Sequence, residues 1–281
     1  MIYTVCIKTN NTEILDYLLE NGKKINIEGL YISKNTFKIY NNIMFHYLGQ
    51  KPSYFYSSLS EMLTNCIIAF YESALVRKII LSNYFYFSDS EKKAIYKNCI
   101  LDLATSDSFC AKFELIFHAL MNYFPGNKQM VLDGFVHFRM KPYINLLDTA
   151  VDLSVDKFLV EREYVEFVNL LKLYIDSKPS SLSLVHLIYF QEEAILLDEN
   201  KSILETSSML NPKYLSDISF STNDYALNTL LTLLPKQIKI HLNCDKDEFI
   251  HTLELIFGSR ITFCYHCSFC EEICKAKKLT N

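Results

Sequence analysis

The stretch QIKIHLNCDKDEFIHTLELIFGSRITFC, residues 237–264, alternates apolar and polar side chains at its start, spaces the apolar ones by three and four in its middle, and alternates again before a cysteine. Period two over 237–243 predicts a strand. The middle, closed by Gly258, predicts a helix over 245–257, and RITFC predicts a second strand over 260–264. Strand, helix and strand in so short a span make a βαβ unit, which implies a parallel pair joined by a right-handed crossover. Parallel strands end on the same side of a sheet, and open α/β sheets bind ligands at that carboxyl edge. Cys244 follows the first strand and Cys264 ends the second, so both are expected there.

Working upstream, SLVHLIYFQ (183–191), AILLD (194–198), a turn at 198–200 and residues 202–204 read as a small β-meander, followed by a helix over 223–234 that Pro235 ends. The turn chemistry of SKPSS (177–181) marks a linker, dividing the chain into 1–178 and 182–281. Before it, Pro142 opens a long helix reaching about 176, preceded by helices over 110–124 and 127–140 that Pro125-Gly126 separates. Ser88 or Ser90 caps a further helix, and helical spacing begins at Ser53, so 53–178 is expected to be an all-helical bundle. Residues 2–8, 11–21, 28–33 and 36–47 read as strand, helix and two β-rich segments. The expected class is therefore α+β: a small N-terminal α/β unit, a central helical bundle, and a C-terminal mixed-sheet α/β domain with a βαβ unit.

The 281 residues carry a net charge of −4, and only Arg77, Arg139, Arg162 and Arg260 among the 28 basic residues are arginine. A nucleic-acid surface draws on clustered arginines for bidentate contacts, so nucleic acid is not expected as a partner and a protein is. Ile, Asn, Lys and Tyr make up 90 of the residues, all with A/T-rich codons, so the aromatic abundance reports genome composition before function. No signal-type apolar run opens the chain and no long uncharged apolar run follows, which leads to the expectation of a cytoplasmic protein with no membrane contact. In a reducing compartment the nine cysteines are thiols or metal ligands. Cys6, Cys66, Cys99 and Cys110, among apolar neighbours, read as small buried hydrophobes.

Cys264, Cys267, Cys270 and Cys274 form C-x2-C-x2-C-x3-C. That spacing matches the run with which bacterial ferredoxins hold an iron–sulfur cubane, although Lys275 stands where the run has proline. The fourth Cys of such a run serves a second cluster, so a single cubane needs another ligand, for which Cys244 is the candidate. Zinc is the competing cofactor, with His266 or Cys244 completing the thiolates, and a reduced tail without metal is the third reading.

Asp148, Asp152 and Asp156 fall on one helical face, read as the solvated side opposite Ile144, Leu147, Val151, Val155 and Phe158. His137 and His186 sit in apolar runs and read as lone core or boundary residues. No nucleophile elbow, zinc-protease helix, P-loop or dinucleotide fingerprint is present, and six glycines leave little room for a phosphate-cradling loop.

LDGFVHFRMKPYINLLDTAVDLSVDKFLVEREYVEFVNLLKLY (132–174) resembles the YtxC-like family of sporulation-associated proteins of spore-forming, low-GC bacteria, through Gly134, Phe135, Phe138, Arg139, Tyr143, Asp156, Phe158, Leu159, Glu163, Tyr164, Phe167, Leu170 and Leu171. AILLDEN, NTLLTLLPKQIKIHL and IFGSRITFCYHCSFC extend the likeness over about 130–270, and 1–125 reads as generic. The resemblance implies a cytoplasmic protein associated with endospore formation and brings no catalytic residue. Arg139, among Phe135, Phe138 and Tyr143, is expected to anchor a buried ion pair with a helix carboxylate. The function expected is non-enzymatic, with a thiolate metal site at the C-terminus; the alternative is an iron–sulfur redox enzyme or electron relay using Cys264, Cys267 and Cys270 with Cys274 or Cys244.

Overall fold

A computed structural model describes residues 2–37, 40–190, 193–204, 221–242, 245–265, 267 and 270. They form an α+β protein that separates into two compact units, Met1–Val160 and Glu161–Asn281, each with its own core.

In the first unit, β1 (Tyr3–Thr9) leads into α1 (Thr12–Lys24), whose Asn11 cap accepts from the Glu13 and Ile14 amides. β2 (Leu30–Thr36) and β3 (Asn41–Tyr47) complete the N-terminal strands. The helices are α2 (Pro52–Asn83), α3 (Asp89–Leu103), α4 (Ser106–Tyr123) and α5 (Leu132–Arg139), and α6 (Lys141–Ser177) continues past the division between the units. At α3, Ser88 and Glu91 form a reciprocal capping box, satisfying amides that the first turn otherwise leaves open. Leu147, Val151 and Val155 of α6 join the first core, whereas Val168 and Ile175 of the same helix join the second.

The expected helix over 127–140 is corrected in its first turn. Gln129–Val131 is a strand, β4, parallel to β1 with Ile7 opposite Met130, which gives the sheet order β2-β3-β1-β4. Three residues are too few to show a period, and burial of Met130 at 1% exposure is set by a pairing distant in sequence. Cys110 is a second correction. Its neighbours in sequence are apolar, but the buried side of α4 carries Lys112, Ile116 and Leu120, and the helical phase leaves Cys110 exposed while Cys6, Cys66 and Cys99 are buried.

The second unit holds β5 (Leu184–Phe190), β6 (Glu193–Leu197), α7 (Thr222–Leu233), β7 (Gln237–Leu242), α8 (Glu248–Phe257) and β8 (Ile261–Cys264). Its sheet order is β6-β5-β7-β8. β5 and β6 are antiparallel, β5 and β7 parallel, and β7 and β8 parallel, as the βαβ reading requires. Val185, Leu187, Tyr189, Ile238, Ile240 and Leu242 pack with Ala226 and Leu230 of α7 and Ile250, Leu253 and Ile256 of α8. Asp247 caps α8 through the Ile250 amide and also accepts from Tyr189 Oη, while Arg260 donates to the Ile175 and Pro235 carbonyls, closing the last turn of α6. Among the described residues, no helix is long and apolar enough to cross a membrane.

Candidate metal centre

Strand periodicity explains how the sheet of the second unit gains a polar face. With Ile238, Ile240 and Leu242 facing the core, Gln237, Lys239 and His241 of β7 project to the opposite side. On β8 the same alternation puts Thr262 and Cys264 there, and on β5 it puts His186 and Ile188 there. Parallel register then sets the neighbours: His241 pairs with Cys264 across β7 and β8, and with Ile188 across β5 and β7.

Two more sulfurs, those of Cys267 and Cys270, lie at this spot. One ligand atom each from His241, Cys264, Cys267 and Cys270 lies within 4.8 Å of the others. His241 Nδ1 stands 3.1 Å from Cys267 Sγ and 3.7 Å from Cys270 Sγ, and the two sulfurs are 3.7 Å apart. Cys270 Sγ also lies 3.2 Å from the Cys264 carbonyl oxygen. His241 and Cys270 are each 1% exposed, whereas Cys264 and Cys267 are half-buried. On the far side of the imidazole, His241 Nε2 lies 3.0 Å from His186 Nδ1.

The electrostatics are those of a thiol site. Burial, followed by His186 and Lys239, pushes His241 down to about 4, so the ring is neutral and retains a lone pair for a metal. Burial and the adjacent Cys267 and Cys264 push the Cys270 thiol up to about 11, because crowded thiolates repel one another. A divalent cation reverses that repulsion, and sulfur with imidazole is the donor set of zinc and of other borderline-soft ions.

Three of the five cysteines proposed from sequence meet here. Cys244 and Cys274, and with them His266, lie outside the described residues. The fourth candidate ligand within the described residues is His241, which the cysteine spacing does not indicate. Its signal was the alternation in QIKIHL, which puts it on the same side as Cys264 once the strands pair in register. His186, read as a lone boundary residue, proves to be its neighbour.

Other candidates resolve more simply. Asp148 and Asp152 accept from Asn83 Nδ2 and Tyr84 Oη, so part of the acidic face ties α6 to the end of α2. Arg139 is exposed, with its guanidinium carbon 5.3 Å from the Tyr123 ring centroid, so a cation–π contact replaces the expected buried ion pair. His137 is likewise exposed and lies 2.8 Å from the Asp133 carbonyl oxygen.

A thiol and imidazole cluster on the polar face of a mixed sheet defines an α+β protein with a candidate metal centre. The chain belongs to the YtxC-like family, whose sequence profile matches residues 57–262. The match begins well before the likeness expected from 130 onward. It includes His186 and His241 and ends short of Cys264. The chain is similar to "Uncharacterized protein YtxC" of Bacillus subtilis (strain 168), with 21% identity over 130 residues, covering 46% of each chain, so it spans less than half the length of that relative. No solved structure matches.

Proposed function

We propose that the C-terminal domain is held closed by one zinc ion on His241, Cys264, Cys267 and Cys270, in a non-enzymatic, cytoplasmic protein associated with endospore formation. The observation that carries the metal is the convergence of four ligand atoms, from β7, β8 and the two cysteines Cys267 and Cys270 that follow, within 4.8 Å. Sulfurs bound to one tetrahedral zinc at about 2.3 Å stand roughly 3.8 Å apart. The 3.7 Å between Cys267 and Cys270 sulfurs fits that separation. In a cubane each thiolate binds a different iron and points out from its own corner, which spreads the sulfurs more widely. The spacing therefore favours a single ion over an iron–sulfur relay.

Four protein ligands fill a tetrahedral ion and leave no position for water or substrate, which supports a structural role and not catalysis. Such an ion contributes binding energy to folding, because the unfolded chain has no preformed site. Here it would pin Cys267 and Cys270 to the sheet's polar face. The endospore association and the cytoplasmic location draw on the family resemblance, and the scarcity of arginine favours a protein partner over nucleic acid.

Metal analysis of the full chain purified anaerobically tests the site: one tightly held zinc per chain, lost in Cys267→Ser, is expected. Metal-free protein, or stoichiometric iron with absorbance at about 400 nm, would overturn it. Normal spore yield from a strain lacking the gene would overturn the endospore association.

A further inference from the structure

We propose that His186 is a positioning residue for the metal: by accepting the Nε2–H of His241 it commits that ring to bind through Nδ1. This inference rests on reading His241, Cys264, Cys267 and Cys270 as one site. A neutral imidazole has one N–H and one lone pair, and a metal takes the lone pair. In His241 the nitrogen inside the cluster is Nδ1, 3.1 Å and 3.7 Å from two of the sulfurs. The proton must then sit on Nε2, and 3.0 Å from it is His186 Nδ1. For that nitrogen to accept, His186 carries its own proton on Nε2. Ligation thus sets both tautomers in sequence.

The backbone places the pair. β5 and β7 run parallel, with His186 opposite Lys239 and Ile188 opposite His241, so the two histidines are diagonal neighbours on one face of the sheet. Their rings lie 27° from parallel with centroids 5.2 Å apart. A ligating histidine generally gives its second N–H to a carboxylate, carbonyl or water, which fixes the ring and raises its basicity. A neutral histidine fills that role here. Zinc with three thiolates and a neutral imidazole carries a net negative charge, and Lys239, beside His186 in register on the same face, supplies a nearby countercharge.

The test uses the full chain loaded with zinc and a chelating indicator as competitor. Replacing His186 by Leu is expected to weaken zinc binding roughly 10- to 100-fold, the usual effect of removing an outer-shell partner. His186→Asn, whose amide oxygen stands near the position of Nδ1, is expected to recover most of that loss. The nitrogen chemical shifts of zinc-loaded, unmutated protein are expected to show His241 metallated at Nδ1 and protonated at Nε2. This readout needs no variant and so survives any folding defect. Zinc binding in His186→Leu equal to that of the unmutated chain, or His241 metallated at Nε2, would overturn the positioning role while leaving the metal site standing. Failure of the unmutated chain to bind zinc, or full binding by both His241→Ala and Cys267→Ser, would instead remove the site and this inference with it.

Discussion

Lys112 in the first core offers a perturbation whose size can be worked from its contacts. It is 2% exposed, and its Nζ donates to Glu72 Oε1 at 2.8 Å and to the Leu103 carbonyl at 3.0 Å, the latter at the end of α3. Glu72 also accepts from Tyr143 Oη at 3.0 Å. Burial, with the Glu72 carboxylate beside it, holds the Tyr143 phenol protonated well above the usual tyrosine range, so it remains a donor. Lys112→Met keeps most of the apolar stem, and the packing loss is small. What disappears is the cation. Glu72 is then a buried carboxylate with one fewer donor, and the α3 carbonyl loses its Nζ. Removing one partner of a buried pair costs about 3–5 kcal/mol, a large share of a total stability of about 5–15 kcal/mol. Replacing Glu72 by Leu in the same chain removes the stranded charge, so the double variant is expected to lose less than the sum of the single losses, with a coupling of about 2 kcal/mol or more. The chain has no Trp, so urea unfolding is best followed by far-ultraviolet circular dichroism. A loss under about 1 kcal/mol for Lys112→Met, or single losses that add within about 0.5 kcal/mol, would refute the reasoning.

Gly22 lies within α1, where an open site would gain about 1 kcal/mol from alanine. A Cβ there would stand 2.8 Å from Phe45 Cε1 and 2.9 Å from Ile32 Cδ1, so Gly22→Ala is expected instead to destabilise by about 1–3 kcal/mol, and a raised melting temperature would contradict the close packing of α1 on the sheet. Site-resolved mass spectrometry after brief alkylation of the native chain is expected to find Cys110 modified and Cys66 and Cys99 protected, since Cys110 is exposed and burial pushes the Cys66 thiol up to about 12. Protection of Cys110, or rapid labelling of Cys66, would contradict the helical phases of α4 and α2.

Much of the fold is written in local patterns. A serine at 88 or 90 announces α3, and Ser88 is its cap; Pro142 falls in the first turn of α6, and the alternation and helical spacing over 237–264 foretell β7, α8 and β8 with their parallel order. The passages that misled share one trait: their outcome depends on a partner far along the chain. β4 exists because β1 is beside it. Arg139 finds the Tyr123 ring where a carboxylate was expected, and Cys110 has apolar neighbours in sequence but lies on the exposed side of its helix.

The candidate site divides in the same way. Sulfur spacing alone brings Cys264, Cys267 and Cys270 into one short run, because a chain that turns after a strand keeps residues three apart within reach of each other. That the cluster includes His241, and that His186 stands behind it, was decided by the tertiary structure. A strand's alternation says which residues share a face, but the residue opposite Cys264 depends on the register between β7 and β8, and His186 depends on β5 lying next to β7. Register and strand order come from how the Val185, Leu187, Ile238 and Ile240 face packs beneath α7 and α8, a long-range fit that no local pattern contains.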